Sequence, residues 1–267
     1  MRRVLITGFA PESRRESPVW NAIARRQYEI WGFNNDEKLM PHADRWFEMH
    51  DLAVYAEKAV DDVSPAPKYL RLLHDGLGIP VYMLRAHDDI PGSVAYPIGA
   101  VTGRFGTYFT NSVSYMLALA IHEGADEIHV YGIDMAHEHE HGWERPSIEF
   151  FLGWARGAGI KVVIPDTSDL LKCIGLYGYL DAYEAEAVLR ERRDDLLRSA
   201  RQSELGAAHM RGAADDTDYW LRRGVFPGDQ RAMSKKAAAR RRWLLGRAKR
   251  YHDAAASLNE FAWDREE

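Results

Sequence analysis

The sequence predicts an α/β protein: a doubly wound, mostly parallel, Rossmann-like sheet followed by a C-terminal helical appendage. Three observations lead there. Short apolar runs recur between helical patterns over the first two-thirds of the chain. A helix–strand–loop–helix–strand series fills 111–164. After Tyr179 the composition turns to Ala, Leu, Glu and Arg, which favours helix.

The elements follow in order. Arg3-Val4-Leu5-Ile6-Thr7 is β-rich and is broken by Gly8, Pro11 and Ser13, after which Val19–Arg26 is expected to wind as a helix. Tyr28–Phe33 reads as a second strand ending at Asn34-Asn35-Asp36, and Arg45–Met49 as a third. Lys68–Asp75 is helical in pattern and leads to a fourth strand over Ile79–Met83. Asn111–Glu123 places Val113, Met116, Leu117, Ala120 and Ile121 at helical spacing, with Gly124 as its stop. Glu127–Gly132 is the next strand, with Ile133-Asp134-Met135 at its end. Ser147–Arg156 is a further helix, and Ile160–Ile164 a last strand. Such alternation expects parallel strands covered on both faces. Residues 1–179 are taken as the sheet domain and 180–267 as the helical extension, with helices over Asp181–Arg201 and Lys235–Leu258.

Composition narrows the function classes. Hydrophobic residues make up 46% and charged residues 28% of 267, which excludes wholesale disorder. The apolar run Met116–Ile121 is far too short for a membrane span, and Val4-Leu5-Ile6 is no signal-peptide core. Cys173 is the one cysteine, so neither an intramolecular disulfide nor a multi-cysteine metal site can form. The cytoplasm is the default expectation. A net charge of −5 gives no global attraction for nucleic acid. Arg231–Arg250, however, holds nine basic residues and no acidic one, so this run is the place where DNA phosphate would be met. A solvated helix docked through Trp243 is the preferred reading of this run, with DNA contact as the alternative, and homo-oligomer formation through the appendage is open.

In a doubly wound sheet, ligands collect beyond the C-terminal strand ends, here the loops at Gly8, Asn34 and Asp134. The turn Gly8-Phe9-Ala10-Pro11-Glu12-Ser13 can cradle phosphate with backbone amides and a hydroxyl, or can be a plain tight turn. It matches neither GxGxxG nor GxxxxGK[ST], which counts against a dinucleotide oxidoreductase and a P-loop kinase. Asn34 and Asn35 can read a nucleobase or sugar, or simply shape a turn. Thr110 or Asn111 is a good cap for the following helix, whose start at Ser112 also suits a phosphate. His137, His139 and His141 would share one face of an extended segment, so a metal is conceivable there. A solvated loop is preferred, and no metal is assigned. One of these imidazoles as a general base is the separate alternative.

The run Thr110–Ile121, then Gly124, Glu127-Ile128 and Tyr131-Gly132-Ile133-Asp134, resembles bacterial sialyltransferases of the campylobacter lipooligosaccharide type. It is also similar to the wider superfamily that includes hydroxymethylpterin pyrophosphokinases. Arg45-Trp46-Phe47-Glu48 and Tyr96-Pro97 resemble uncharacterised proteins of tailed bacteriophages, which would place the chain in a host cytoplasm. The resemblance covers roughly residues 1–180.

What the sialyltransferase likeness implies is a cytidine nucleotide held by Gly8, Asn34 and Thr110 to Ser112, with a catalytic histidine beside His141. The segment between Asp134 and that histidine is shorter here, and the tail after Tyr179 has no counterpart. The expected function is a glycosyltransferase-like transferase using a CMP-linked or other nucleotide-activated donor. His141 would act as base, and Arg145 and the start of the Thr110–Ser112 helix would stabilise the leaving phosphate. The alternative is a pyrophosphokinase-like enzyme using ATP and Mg²⁺ on a heterocyclic alcohol, with Asp134 near the metal. A non-catalytic nucleotide- or DNA-associated module is the third reading.

Overall fold

The computed structural model describes residues 1–34, 40–52, 66–135, 138–173, 176, 179, 182–222, 238, 240–242, 244–246, 248–253 and 255–256. The chain divides into two compact units, Met1–Leu171 and Lys172–Glu267.

The first unit is built on seven parallel strands: β1 (Arg3–Thr7), β2 (Glu29–Phe33), β3 (Arg45–Glu48), β4 (Val81–Met83), β5 (Ser93–Ala95), β6 (Glu127–Tyr131) and β7 (Lys161–Val163). Their order is β5-β4-β3-β2-β1-β6-β7. Helices α1 (Pro11–Arg15), α2 (Ala66–Asp75), α3 (Ile98–Phe105), α4 (Ser112–His122) and α5 (Glu138–Gly157) connect them. Successive strand residues face opposite sides, so the apolar runs of β1 and β2 feed two cores. Val4, Ile6, Trp31 and Phe47 join α4 and α5 on one face. On the other face, Trp46, Val81 and Met83 pack with Tyr69 and Leu73 of α2, while Leu5 and Ile30 enclose Val19. Helix α4 is apolar almost all round and is buried from Ser112 to Ile121 except at Tyr115. Each fully buried Leu, Ile or Met there contributes about 1.5–3 kcal/mol.

The doubly wound α/β expectation agrees with this sheet, and several elements differ in detail. Val19–Arg26 forms no α-helix. Pro18–Trp20 and Ala24–Gln27 are separate 3₁₀ turns, because the Asn21 side chain accepts the Ile23 and Ala24 amides and breaks the winding between them. The turn after β1 contains the short helix α1, started by Pro11. β5 and α3 were not expected. Helix α5 begins at Glu138, nine residues before the expected Ser147, and runs through Pro146. The extended segment on which a shared histidine face rested is therefore not what forms, since the backbone is helical from Glu138.

In the second unit, α6 (Ala182–Arg222) is 41 residues long, and the described residues between 238 and 256 are also helical. Leu196 and Ala200 pack with Tyr251 and Ala255, Glu204 accepts from His252 at 2.9 Å, and Gly206 lies against Leu244. As numbers rise on one helix they fall on the other, so the pair is antiparallel. Of the basic run, Arg240, Arg242, Lys249 and Arg250 are exposed and helical, and Lys249 donates to Asp253 at 2.6 Å. Arg231, Lys235, Lys236, Trp243 and Arg247 lie outside the described residues. No helix among the described residues is long and apolar enough to cross a membrane.

At the N-terminal edge of the sheet, four charges close a ring. Arg2 bonds Glu29 at 2.9 Å and also reaches Glu123 beyond the end of α4; Arg45 bonds both carboxylates, with 2.9 Å to Glu123. The Arg45 guanidinium also lies over the Trp31 and Tyr82 rings. Burial alone would raise the Glu29 and Glu123 carboxyls, but hydrogen bonds and charge from Arg2 and Arg45 outweigh it. Both are held below the ordinary carboxyl value. A depressed carboxyl stabilises the fold above its unfolded pKa, and the gain is lost as pH falls through the folded value. The urea midpoint should therefore drop between pH 6 and pH 3.5. In Glu123→Gln the midpoint at pH 6 should be lower and the drop smaller, and an unchanged acid slope in that variant would contradict the role of the ring.

Candidate functional site

The strand order reverses at β1, with β2 on one side and β6 on the other, which makes the C-terminal ends of β1 and β6 the switch point of the sheet. Gly8 and Gly132 meet there. A Cβ on Gly8 would lie 2.6 Å from the Gly132 carbonyl oxygen, and one on Gly132 would lie 2.5 Å from that of Gly8. Gly132 also has φ +68°, the left-handed region that favours glycine. The amides of Gly8 and Ala10 donate to the Tyr131 and Gly132 carbonyls, each at 2.8 Å. Ser13 accepts the Gly132 amide at 2.8 Å and donates to Asp134. The buried Arg14 returns to the Gly8 carbonyl at 2.8 Å. In the turn from Gly8 to Ser13, two amides and the hydroxyl are thus committed to joining β1 with β6. Pro11 opens α1 at its N-terminus.

One strand further, Asn34 ends β2 at φ 53°. Its amide donates to Phe47 at 2.9 Å, its carbonyl accepts Trp46 Nε1 at 3.0 Å, and its side-chain Oδ1 accepts the Ser112 hydroxyl at 3.3 Å. The strand-end asparagine and the start of α4 are therefore in contact. Asn111 is the cap, accepting the Ser114 amide at 2.9 Å. Its Nδ2 donates to the Glu144 carbonyl at 2.9 Å, and Thr110 shares a 2.6 Å bond with Ser147. Thr110 and Asn111 thereby join α4 to α5.

Arg145 donates to Glu149 at 2.8 Å and to the Asp169 carbonyl at 2.7 Å, which ties α5 to the segment after β7. His141 lies in the first turns of α5, with its side chain outside the described residues, as are Asn35 and His137 entirely. Among the described residues, no three His, Cys, Asp or Glu side chains gather as a metal site. The structure thus brings together Gly8 with Gly132, Ser13 with Asp134, and Asn34 with Ser112.

Neither a protein-family profile nor a curated protein sequence matches the chain. Solved structures do. The sialyltransferase CstII from Campylobacter jejuni with cytidine-5′-monophosphate is similar at 15% identity and a TM-score of 0.37, over 61% of this chain and 78% of that one. The same enzyme with CMP-3FNeuAc is similar at 14% identity and a TM-score of 0.38, over 63% and 87%. The likeness is one of fold.

Sequence reasoning missed a pair at the end of β3. Glu48 is fully buried and accepts both the backbone amide and Nδ1 of His50, at 2.9 and 2.7 Å. The available signal was a glutamate directly after the aromatic pair Trp46-Phe47, with a histidine two residues on.

Gly132→Ala should cost at least about 2 kcal/mol, from left-handed backbone strain plus a clash with backbone that cannot move aside. Thermal unfolding should shift down by about 4 °C or more for a unit of this size. A melting temperature within a degree of the parent would show that the two turns separate easily.

Proposed function

We propose that the C-terminal edge of the sheet binds a nucleotide and that the protein is a glycosyltransferase-like transferase using a nucleotide-activated donor. The contact between Asn34 and Ser112 carries this reading. A primary amide offers donors and an acceptor to a base or ribose, and Ser112 engages the Oδ1 end, leaving Nδ2 as the donor end. The same contact sets that amide beside the start of an 11-residue helix, whose dipole favours a leaving phosphate without a lysine or arginine. The Gly8–Gly132 crossing lies at the switch point one strand away, where it fixes the ends of β1 and β6 beside that site.

Position 34 allows a clean test. Asn34 already adopts a conformation that glycine accepts without strain, and its backbone bonds survive side-chain removal. Asn34→Gly relieves the left-handed backbone but loses the Ser112 bond and frees the unfolded chain, so the melting temperature should fall by no more than about a few degrees. Calorimetry with CMP, UMP, GMP and ATP should find at least one nucleotide bound by the parent, and weakened at least about tenfold, or 1.4 kcal/mol, in the variant. Absence of any binding at about 1 mM, a free energy of only about −4 kcal/mol, would refute the nucleotide site. Equal affinity in Asn34→Gly would remove Asn34 from it.

A further inference from the structure

Transfer to a hydroxyl needs a group that takes the acceptor's proton, and the end of β3 supplies one. Glu48 is the last residue of its strand and 0% exposed, while the side chain of His50 beside it is 47% exposed. One carboxylate oxygen accepts two N–H bonds from the same residue: the His50 amide at 2.9 Å and Nδ1 at 2.7 Å. The first sets the backbone of the histidine and the second its ring. Since a carboxylate oxygen accepts there, Nδ1 carries the hydrogen, and Nε2 is the basic nitrogen of the neutral ring. This is how an orienting carboxylate prepares a histidine for general-base work.

The location agrees with that use. β3 pairs with β2 up to Phe33 and Phe47, and the next residue, Asn34, donates its amide to the Phe47 carbonyl. Glu48 and His50 therefore lie on the C-terminal edge immediately beyond the strand pair that carries Asn34. The chain contains a second Glu–His pair of the same spacing, and it shows the other outcome. His129 and Glu127 bond at 2.8 Å within β6, each side chain only 8% exposed, with Arg3 and Lys161 also on Glu127. Burial lowers the pKa of His129, and a substrate has no approach to a ring enclosed in the sheet. What sets His50 apart is exposure at a ligand-collecting edge combined with a buried partner.

We propose that His50 is the general base of the transfer and that Glu48 is its positioning residue. This rests on the transferase reading given above. In the step, the acceptor oxygen bonds to the anomeric carbon of the donor as its O–H bond breaks. The proton passes to Nε2 of His50. The bond from that carbon to the phosphate oxygen breaks, and its electron pair leaves on the nucleotide phosphate; the proton then passes to solvent. His50 takes the place that the sequence assigns to His141.

The test uses the full-length chain with a panel of CMP-, UDP- and GDP-linked sugars, with water as the default acceptor. Binding is read by calorimetry and turnover by release of nucleotide. In His50→Gln, whose amide can still donate to Glu48, the turnover number should fall about 100-fold or more, with the dissociation constant within about twofold. In Glu48→Gln, ¹⁵N spectra should show that the His50 ring has lost its preference for hydrogen on Nδ1. Turnover there should fall about tenfold at an unchanged KM, the outer-partner effect. Parental turnover in His50→Gln, or a loss found in His141→Gln alone, would overturn the proposal and leave the transferase reading intact. A parent that neither binds nor cleaves any donor would sink both.

Discussion

At the Gly8–Gly132 crossing, two main chains approach more closely than any pair of Cβ atoms would permit. It falls at the C-terminal ends of the paired strands β1 and β6, where the sheet's strand order reverses. Close approach lets the Gly8 and Ala10 amides reach β6 carbonyls, and it lets Ser13 span the gap to Gly132 and Asp134. Arg14 then folds back on Gly8, buried and over the Trp20 ring. Remove the crossing and the buried Gly8 amide, Gly132 amide and Ser13 hydroxyl lose these bonds, at about 1–3 kcal/mol apiece. The turn is therefore rigid first, and any ligand meets a preformed surface.

Helix α4 carries that rigidity across the domain. Its apolar surface is buried almost all round, so packing alone would let it slide along its axis. Polar contacts at both ends prevent this. At its start, Asn111 caps it and reaches α5, while Ser112 reaches Asn34. At its end, Glu123 enters the ring of Arg2, Glu29 and Arg45. Burial supplies most of the stabilisation, and the two polar ends set the register. A shift of one residue, about 1.5 Å, would break the contact between Asn34 and Ser112 on which the candidate site depends.

Most of this architecture was legible in the sequence, for identifiable reasons. β1 is expected and found over Arg3–Thr7, because an apolar run stops at Gly8. α4 reads well because it is long, apolar and followed by glycine, and β6 because its β-favouring residues stop at Gly132. β5 was not legible: Ser93-Val94-Ala95 is a half-exposed edge strand with no apolar alternation. α3 was hidden by Gly99 and Gly103, which count against helix, and the first turns of α5 by Pro146 and a polar, histidine-rich start. Of the candidate site, the loops at Gly8, Asn34 and Asp134 follow from topology, since strand ends are where ligands collect, and Ser112 from its place at a helix start. Glu48 and His50 do not, because a glutamate at the end of a short strand looks like the point where solvent begins. Only the fold shows that it is buried.

The two edges of the sheet also handle charge differently, and that bears on how an acidic protein can hold an anion. The N-terminal edge gathers two arginines and two glutamates that neutralise one another. On the C-terminal edge, the residues around the start of α4, Asn34, Thr110, Asn111 and Ser112, are uncharged, with Glu48 and Asp134 bonded to His50 and Ser13. The start of α4 contributes about half a positive charge from its aligned peptides. Such a field is short-ranged and needs no cationic side chain, so the net charge of −5 is little obstacle once the ligand is in contact. Arg14 and Arg145 already have structural partners: Arg14 holds Gly8, and Arg145 holds Glu149 and Asp169. Leaving-group stabilisation would then fall to backbone amides and hydroxyls, which are in place before the reaction and need no reorganisation as charge develops.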